Sequence, residues 1–188
     1  MVIRKAAPED REAVAELLLV IFKDMELPLL QRISEEKLVQ MVAEAMADPM
    51  YRYNESRGIV NEIDGKLAGV AFGYPDEEEP TIDLAWDEVA KAHQLTGDTR
   101  LFKDSEVFPN EWYLDSVCVN EAFRGKGIGS SLLESVVDLA RQAGKSKIGL
   151  CCDFTNHKAQ KLYERVGYEA VGEQVLSNHR YYHMQKTI

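Results

Sequence analysis

Three observations predict a single α/β domain. Stretches of two-residue alternation are interleaved with stretches of helical periodicity, an Asp64-Gly65 pair sits between two apolar runs as a hairpin signal, and a glycine-rich turn joins a strand to a strongly amphipathic helix. The chain has 188 residues, 45% hydrophobic and 29% charged, with 12 Gly, 6 Pro and 3 Cys. That is enough for one sizeable core, and too ordinary to be disordered, collagen-like or a disulfide scaffold. One domain over residues 1–188 is expected.

The elements follow in order. Val2 to Lys5 reads as a short strand. Pro8, Glu9 and Asp10 suit the first turn of a helix, where a missing N–H costs nothing and the dipole favours acids, and Ala13, Val14, Leu17, Leu18, Ile21 and Phe22 follow at helical spacing. Ser34 is the expected N-cap of a second helix with Leu38, Met41, Val42, Ala45 and Met46 on one face, stopping near Pro49. Ile59 to Ile63 and Leu67 to Tyr74 are the two strands of the Asp64-Gly65 hairpin. Residues 76–110 form an acidic insertion between the third and fourth strands, with one short amphipathic helix through Ile82, Trp86, Val89 and Ala90. Glu111 to Val119 is the fourth strand, Ile128 to Ala143 a helix ended by Gly144, and Lys147 to Asp153 the fifth strand. Asn156 caps a shorter helix from His157 to Val166, ended by Gly167, and Tyr168 to Val171 and Tyr181 to Gln185 close the chain as strands.

Charge narrows the partners. The net charge is −10 and the pI about 4.9, which argues against nucleic acid or an anionic membrane. Seven of those ten excess acids lie between Asp76 and Ala90, a segment without one base. The longest apolar runs, such as Val14 to Phe22, are broken by Glu16 and fall short of the roughly 18 residues a membrane span needs. The opening Met-Val-Ile-Arg-Lys lacks the features of a signal peptide, so a cytoplasmic protein is expected. Cys118, Cys151 and Cys152 are an odd number without a C-x-x-C pair, which fits reduced thiols.

The chemistry concentrates in Arg124-Gly125-Lys126-Gly127-Ile128-Gly129, which leaves a strand and enters a helix at once. Three glycines let successive amides approach an anion closely, and the helix dipole adds attraction for phosphate. A ligand-free turn is the plain alternative. Gly144-Lys145-Ser146 mimics the end of a Walker A loop, but Leu139 stands where its first glycine belongs and the order is helix to strand. A dinucleotide fingerprint would use Gly125, Gly127 and Ser130 with Asp153 as the ribose acid, yet no comparable second half-domain follows. His179 and His183 are spaced like a zinc pair but lie in a strand region with no partner cysteine pair, so no metal is expected.

Together, Tyr113-Leu114-Asp115-Ser116-Val117-Cys118-Val119, Arg124 to Ser130, and Asn156, Ala159, Tyr163 and Gly167-Tyr168 resemble the GNAT superfamily of acetyl-CoA-dependent N-acetyltransferases. The resemblance implies a mixed, mostly antiparallel sheet with helices on both faces, splayed between the fourth and fifth strands. It implies that Arg124, Gly125, Lys126, Gly127, Ile128, Gly129 and Ser130 wrap the pyrophosphate of acetyl-CoA. The main chain of Val117, Cys118 and Val119 would pair with pantetheine like an added strand, so Cys118 need not be a nucleophile; a buried inert thiol is the favoured reading. Asn156 would contact pantetheine, and Ala159 lies between it and Tyr163 on one helix face. The Tyr163 hydroxyl would protonate the departing CoA thiolate, the competing reading being a packed aromatic. An alkylamine with pKa about 10.4 must lose a proton before it attacks. Asp115 is the first candidate to take it, since alternation places it on the face of Val117, with a structural role at the splay as the alternative.

The expected function is transfer of an acetyl group from acetyl-CoA to a primary amine by direct attack in a ternary complex. A noncatalytic acyl-CoA sensor is the alternative from another class. The acceptor is expected to be a small-molecule or peptide amine, cationic because the acidic insertion would face its side of the cleft; a homodimer is left open.

Overall fold

Strand pairing is antiparallel everywhere in a seven-stranded sheet except at one junction. In the computed structural model, which describes residues 1–188, the strands are β1 (Val2–Lys5), β2 (Gly58–Ile63), β3 (Lys66–Pro75), β4 (Trp112–Val119), β5 (Lys147–Asp153), β6 (Glu169–Leu176) and β7 (His179–Thr187). They lie in the order β1-β2-β3-β4-β5-β7-β6, and β4 with β5 is the parallel pair. Asp64 and Gly65 turn β2 into β3 with φ of 51° and 73°, as a tight hairpin requires.

Helices cover both faces, which makes this the mixed α/β domain that the sequence implied. On one face α1 (Arg11–Asp24) and α2 (Glu35–Ala45) bury Val14, Leu18, Phe22, Leu38, Met41 and Val42 against Val60, Val70 and Phe72. The short α3 (Leu84–Ala92) adds Trp86 and Ala90 to that core. On the other face α4 (Ile128–Gln142) packs Ile128, Leu132, Leu133, Val136 and Ala140 on Ala68, Ala71, Leu114 and Ile148. Each large aliphatic side chain so buried contributes about 1.5–3 kcal/mol. The last helix, α5 (His157–Arg165), brings Leu162 and Tyr163 to the edge of this second core. No helix is long and apolar enough to cross a membrane.

Local chemistry moves two expected boundaries. The first helix begins at Arg11 rather than Pro8, because Asp10 turns back to accept from the Ala7 amide at 2.8 Å and from Arg4 at 2.6 and 2.9 Å, holding Pro8–Asp10 as a 3-10 turn. The closing strands are longer than expected: β6 runs on to Leu176 and β7 starts at His179, joined by Ser177 and Asn178 at φ of 47° and 70°. Gly172, Glu173 and Gln174 break the apolar alternation there, and Ser-Asn is a weaker hairpin signal than Asp-Gly.

Two irregularities shape the middle of the sheet. β4 and β5 pair only at Trp112 with Ile148 and Tyr113 with Gly149, then part, leaving β4 from Leu114 onward with one unpaired edge. On its other edge β4 carries a bulge, where Phe72 opposes Ser116, Gly73 opposes Leu114, and Asp115 is skipped. The bulge defeats the expected alternation. Asp115 and Ser116 both face the α1–α2 side, where the Ser116 hydroxyl donates to Asp115 Oδ2 at 2.8 Å and lies 3.2 Å from the Tyr53 hydroxyl, while Val117 packs into the α4 core. Arg52 closes the arrangement. Its guanidinium binds Asp115 at 2.5 Å and both oxygens of Asp83 at 2.7 Å, and lies 3.6 Å from the centre of the Phe102 ring.

The Arg52 and Asp115 side chains are only 3% and 1% exposed, so removing the Arg52 charge strands the buried Asp115 carboxylate. Arg52→Gln should cost roughly 3–5 kcal/mol in denaturant unfolding, and adding Asp115→Asn should recover part of it. A loss under about 1 kcal/mol in the single variant would show that the pair does not hold the bulge.

Candidate functional site

The parting of β4 from β5 creates a gap, and most of the candidate residues meet at its α4 side. Val117, Cys118 and Val119 pair with Ala71, Val70 and Gly69 on one edge and turn the other edge to the gap. The Cys118 thiol points away from the gap, donating to the Leu17 carbonyl at 3.4 Å, and burial pushes it up to about 11. It is an inert core thiol.

The turn into α4 leaves a run of backbone amides open. Gly125 and Gly127 have φ of 79° and 78° with open space where a Cβ would stand, so backbone conformation and not crowding demands glycine at both. Gly129 is different: a Cβ there would lie 3.2 Å from Leu162, the contact that seats α5 beside α4. The first backbone bond of the helix is Ser131 N–H to Gly127 C=O at 3.1 Å, so the amides from Gly125 through Ser130 donate to no main-chain carbonyl. Three cations surround this run. Arg124 donates from Nε to the Val119 carbonyl at 3.4 Å, Lys126 lies 5.0 Å from the Phe123 ring centre, and Arg165 reaches from α5 to the Ser130 hydroxyl at 3.1 Å. Sequence reading missed Arg165, whose place depends on how α5 packs.

The start of α5 completes this side. The exposed Asn156 caps the helix, its side-chain oxygen accepting from the Ala159 amide at 3.1 Å. Tyr163 is half-buried with its ring 5.9 Å from that of Tyr168, and burial, helped by Cys152 nearby, raises its pKa. It stays a phenol, able to donate, throughout the neutral range. Asp115 does not join this group: the bulge turns it to the opposite side, where Arg52 holds it.

That opposite side holds residues that sequence reading passed over. Glu111, fully buried, accepts from the Phe108 amide at 2.7 Å, from Gln185 at 2.8 Å and from His183 Nε2 at 3.0 Å. His183 is itself buried, accepts at Nδ1 from Gln174 at 2.9 Å and stacks on Phe108 with centroids 3.7 Å apart. His179 is half-exposed and 3.9 Å from Asp153, so the two histidines of the H-x-x-x-H spacing serve different surroundings. Part of the acidic segment has partners of its own. Asp76 accepts from the Asn110 and Glu111 amides and from Lys145, Glu77 binds Lys145, Glu78 binds Arg57, and Glu79 accepts from Ser105 and the Glu106 amide. These four of the segment's seven carboxylates thus bind the loop before β4, Lys145 or Arg57.

The model of the acetyltransferase (GNAT) family matches residues 27–168. A crystal structure described as an acetyltransferase is 49% identical over 100% of both chains, with a TM-score of 0.91. An N-acetyltransferase from Staphylococcus aureus Mu50 is 29% identical, covering 98% of this chain and 100% of its own, with a TM-score of 0.88. The D-amino-acid N-acetyltransferase HPA3 of Saccharomyces cerevisiae is 34% identical over 83 residues, 44% of this chain. The match spans 48% of the yeast protein's length.

The open amides make a direct test. Gly127→Glu places a side chain at φ 78°, a strain of about 1–2 kcal/mol, and adds a negative charge where an anion would sit. The variant should keep its helical circular dichroism yet lose at least about 100-fold in coenzyme A affinity, about 2.7 kcal/mol, by calorimetry. Unchanged affinity would remove the turn from the ligand site.

Proposed function

Because the chain belongs to the acetyltransferase (GNAT) family, we propose that it transfers an acetyl group from acetyl-CoA to a primary amine by direct attack in a ternary complex. The observation that carries this reading is the run of uncommitted amides from Gly125 to Ser130 beside the unpaired edge of β4. Acetyl-CoA supplies the activated thioester carbonyl. The amides of Gly125, Lys126, Gly127, Ile128, Gly129 and Ser130, with Arg124 and Arg165 beside them, would hold its pyrophosphate. The main chain of Val117, Cys118 and Val119 would bind pantetheine as an added strand, with the Asn156 amide alongside. Tyr163 would donate its hydroxyl proton to the CoA thiolate as the C–S bond breaks. The three free thiols fit a reducing, cytoplasmic setting.

The proposal is tested by release of free CoA thiol across a panel of primary amines: D-amino acids, alkylamines, polyamines and a peptide N-terminus. At least one should support turnover well above hydrolysis of acetyl-CoA in water. Tyr163→Phe, which keeps the ring and deletes the donor, should slow turnover roughly 10²-fold with little change in coenzyme A affinity. Turnover within about threefold of the parent, with chemistry rate-limiting, would make Tyr163 a packing residue; binding without turnover on every amine would favour a sensor.

A further inference from the structure

Cations gather at one corner of a chain whose net charge is −10. Arg124 and Lys126 belong to the open turn, and Lys158, Lys161 and Arg165 follow on α5. None of them forms an ion pair. Lys161 and Arg165 are about one helical turn apart, and Lys158 lies a turn before Lys161, so all three share a face of α5 and all are exposed. Asn156, Ala159 and Tyr163 lie on the other side of the helix, where Ala159 and Tyr163 pack against the second core.

Helix stability does not account for this row. Arg165, in the last turn, suits the helix dipole, but the first turn holds His157 and Lys158 with no acid, against the dipole's positive end. Like charges a turn apart also repel. The one acid on the helix, Glu164, accepts from Gln160 at 3.0 Å and forms no ion pair with the lysines. The row therefore destabilises the free helix, and an anion bound across it relieves the repulsion. Position says where that anion lies. Arg165 donates to the Ser130 hydroxyl at 3.1 Å, at the end of the run of open amides, so the row begins at the turn and leads away from it along the outside of α5. A ligand arm in the gap meets the Tyr163 face; these cations meet what stays outside it.

We propose that Lys161 and Arg165 bind the 3′-phosphate of coenzyme A, and that the chain thereby selects coenzyme A thioesters over those of 3′-dephospho-coenzyme A. This deepens the acetyl-transfer reading and rests on it.

The chemistry of the two phosphate groups separates their sites. A pyrophosphate diester fits the amides from Gly125 to Ser130, whose donors converge on one spot. A phosphate monoester carries about −1.5 to −2 at neutral pH and stands apart from that spot on the ribose, where long cationic side chains can reach it. Arg165 offers a planar fork and Lys161 a point charge one turn away, so the two can bracket one phosphate. Lys158 is the farthest of the row from the Ser130 contact and adds attraction without contact.

Calorimetry with coenzyme A and with 3′-dephospho-coenzyme A tests the assignment in the parent, Lys161→Gln, Arg165→Gln, the double variant and Lys91→Gln, which removes an exposed charge from α3. At about 0.1 M salt the parent should bind coenzyme A roughly 10-fold or more tighter than the dephospho form, and added salt should shrink that ratio. Each single variant should lose roughly threefold to tenfold toward coenzyme A and less than about twofold toward the dephospho form, and the double variant should bring the ratio close to one. Lys91→Gln should leave both affinities unchanged. An unchanged affinity for the dephospho form reports an intact turn and an intact α5, since a residue that only held α5 on α4 would weaken both ligands alike. Equal affinities in the parent, or variants that weaken both ligands equally, overturn the phosphate contact and leave acetyl transfer standing. A parent that binds neither ligand overturns both readings.

Discussion

The architecture hangs on the buried carboxylate of Glu111. It lies at the base of β4, beside the two rungs that join β4 to β5, and gathers donors from the loop before β4 and from His183 and Gln185 on β7. A fully buried carboxylate is costly unless several donors satisfy it, and here they come from separate parts of the chain. Gly149 makes the approach feasible, since a Cβ there would fall 1.9 Å from Glu111 Oε2. The strands are tied at this end and at no other rung, so they diverge beyond it. The same knot positions Phe108 on His183 and against Gly172, docking the loop on β6 and β7.

Divergence creates an opening with two chemically distinct sides, and the bulge at Asp115 keeps them distinct. Toward α4 lie free amides, three cations and a phenol, a surface of positive potential. Toward α1, α2 and the insertion lie buried tyrosine rings and carboxylates, of which Asp115 and Asp83 share one partner, Arg52. A regular strand would have pointed Asp115 into the α4 core beside Val117. The extra residue instead turns it where a buried arginine can hold it.

The acidic insertion follows the same logic. Its carboxylates look from composition like a diffuse field for attracting cations. In the fold Asp76, Glu77, Glu78 and Glu79 bind backbone amides, a hydroxyl, Lys145 and Arg57, and so fix the loop that delivers Glu111. Exposed charge runs add little through single ion pairs, whereas several short bonds converging on one loop set its shape.

Local signals made much of this legible in the chain itself. The Asp64-Gly65 turn, the apolar stripe of α4, the Asn156 cap and the glycines at Gly125 and Gly127 all depend on neighbours within a few residues, where backbone dihedrals and periodicity decide the outcome. The open turn before α4 was therefore readable in outline. Asp115, Arg52, Arg165 and Glu111 were not, because each acquires its meaning from partners tens of residues away: Arg52 from Asp115, Arg165 from Ser130, Glu111 from His183. Sequence by itself determined which segments become helices and strands and where an anion could be bound. The tertiary structure alone decided which side of the sheet each charge faces, since one skipped residue in a ladder reverses a side chain's direction and no local pattern records the skip.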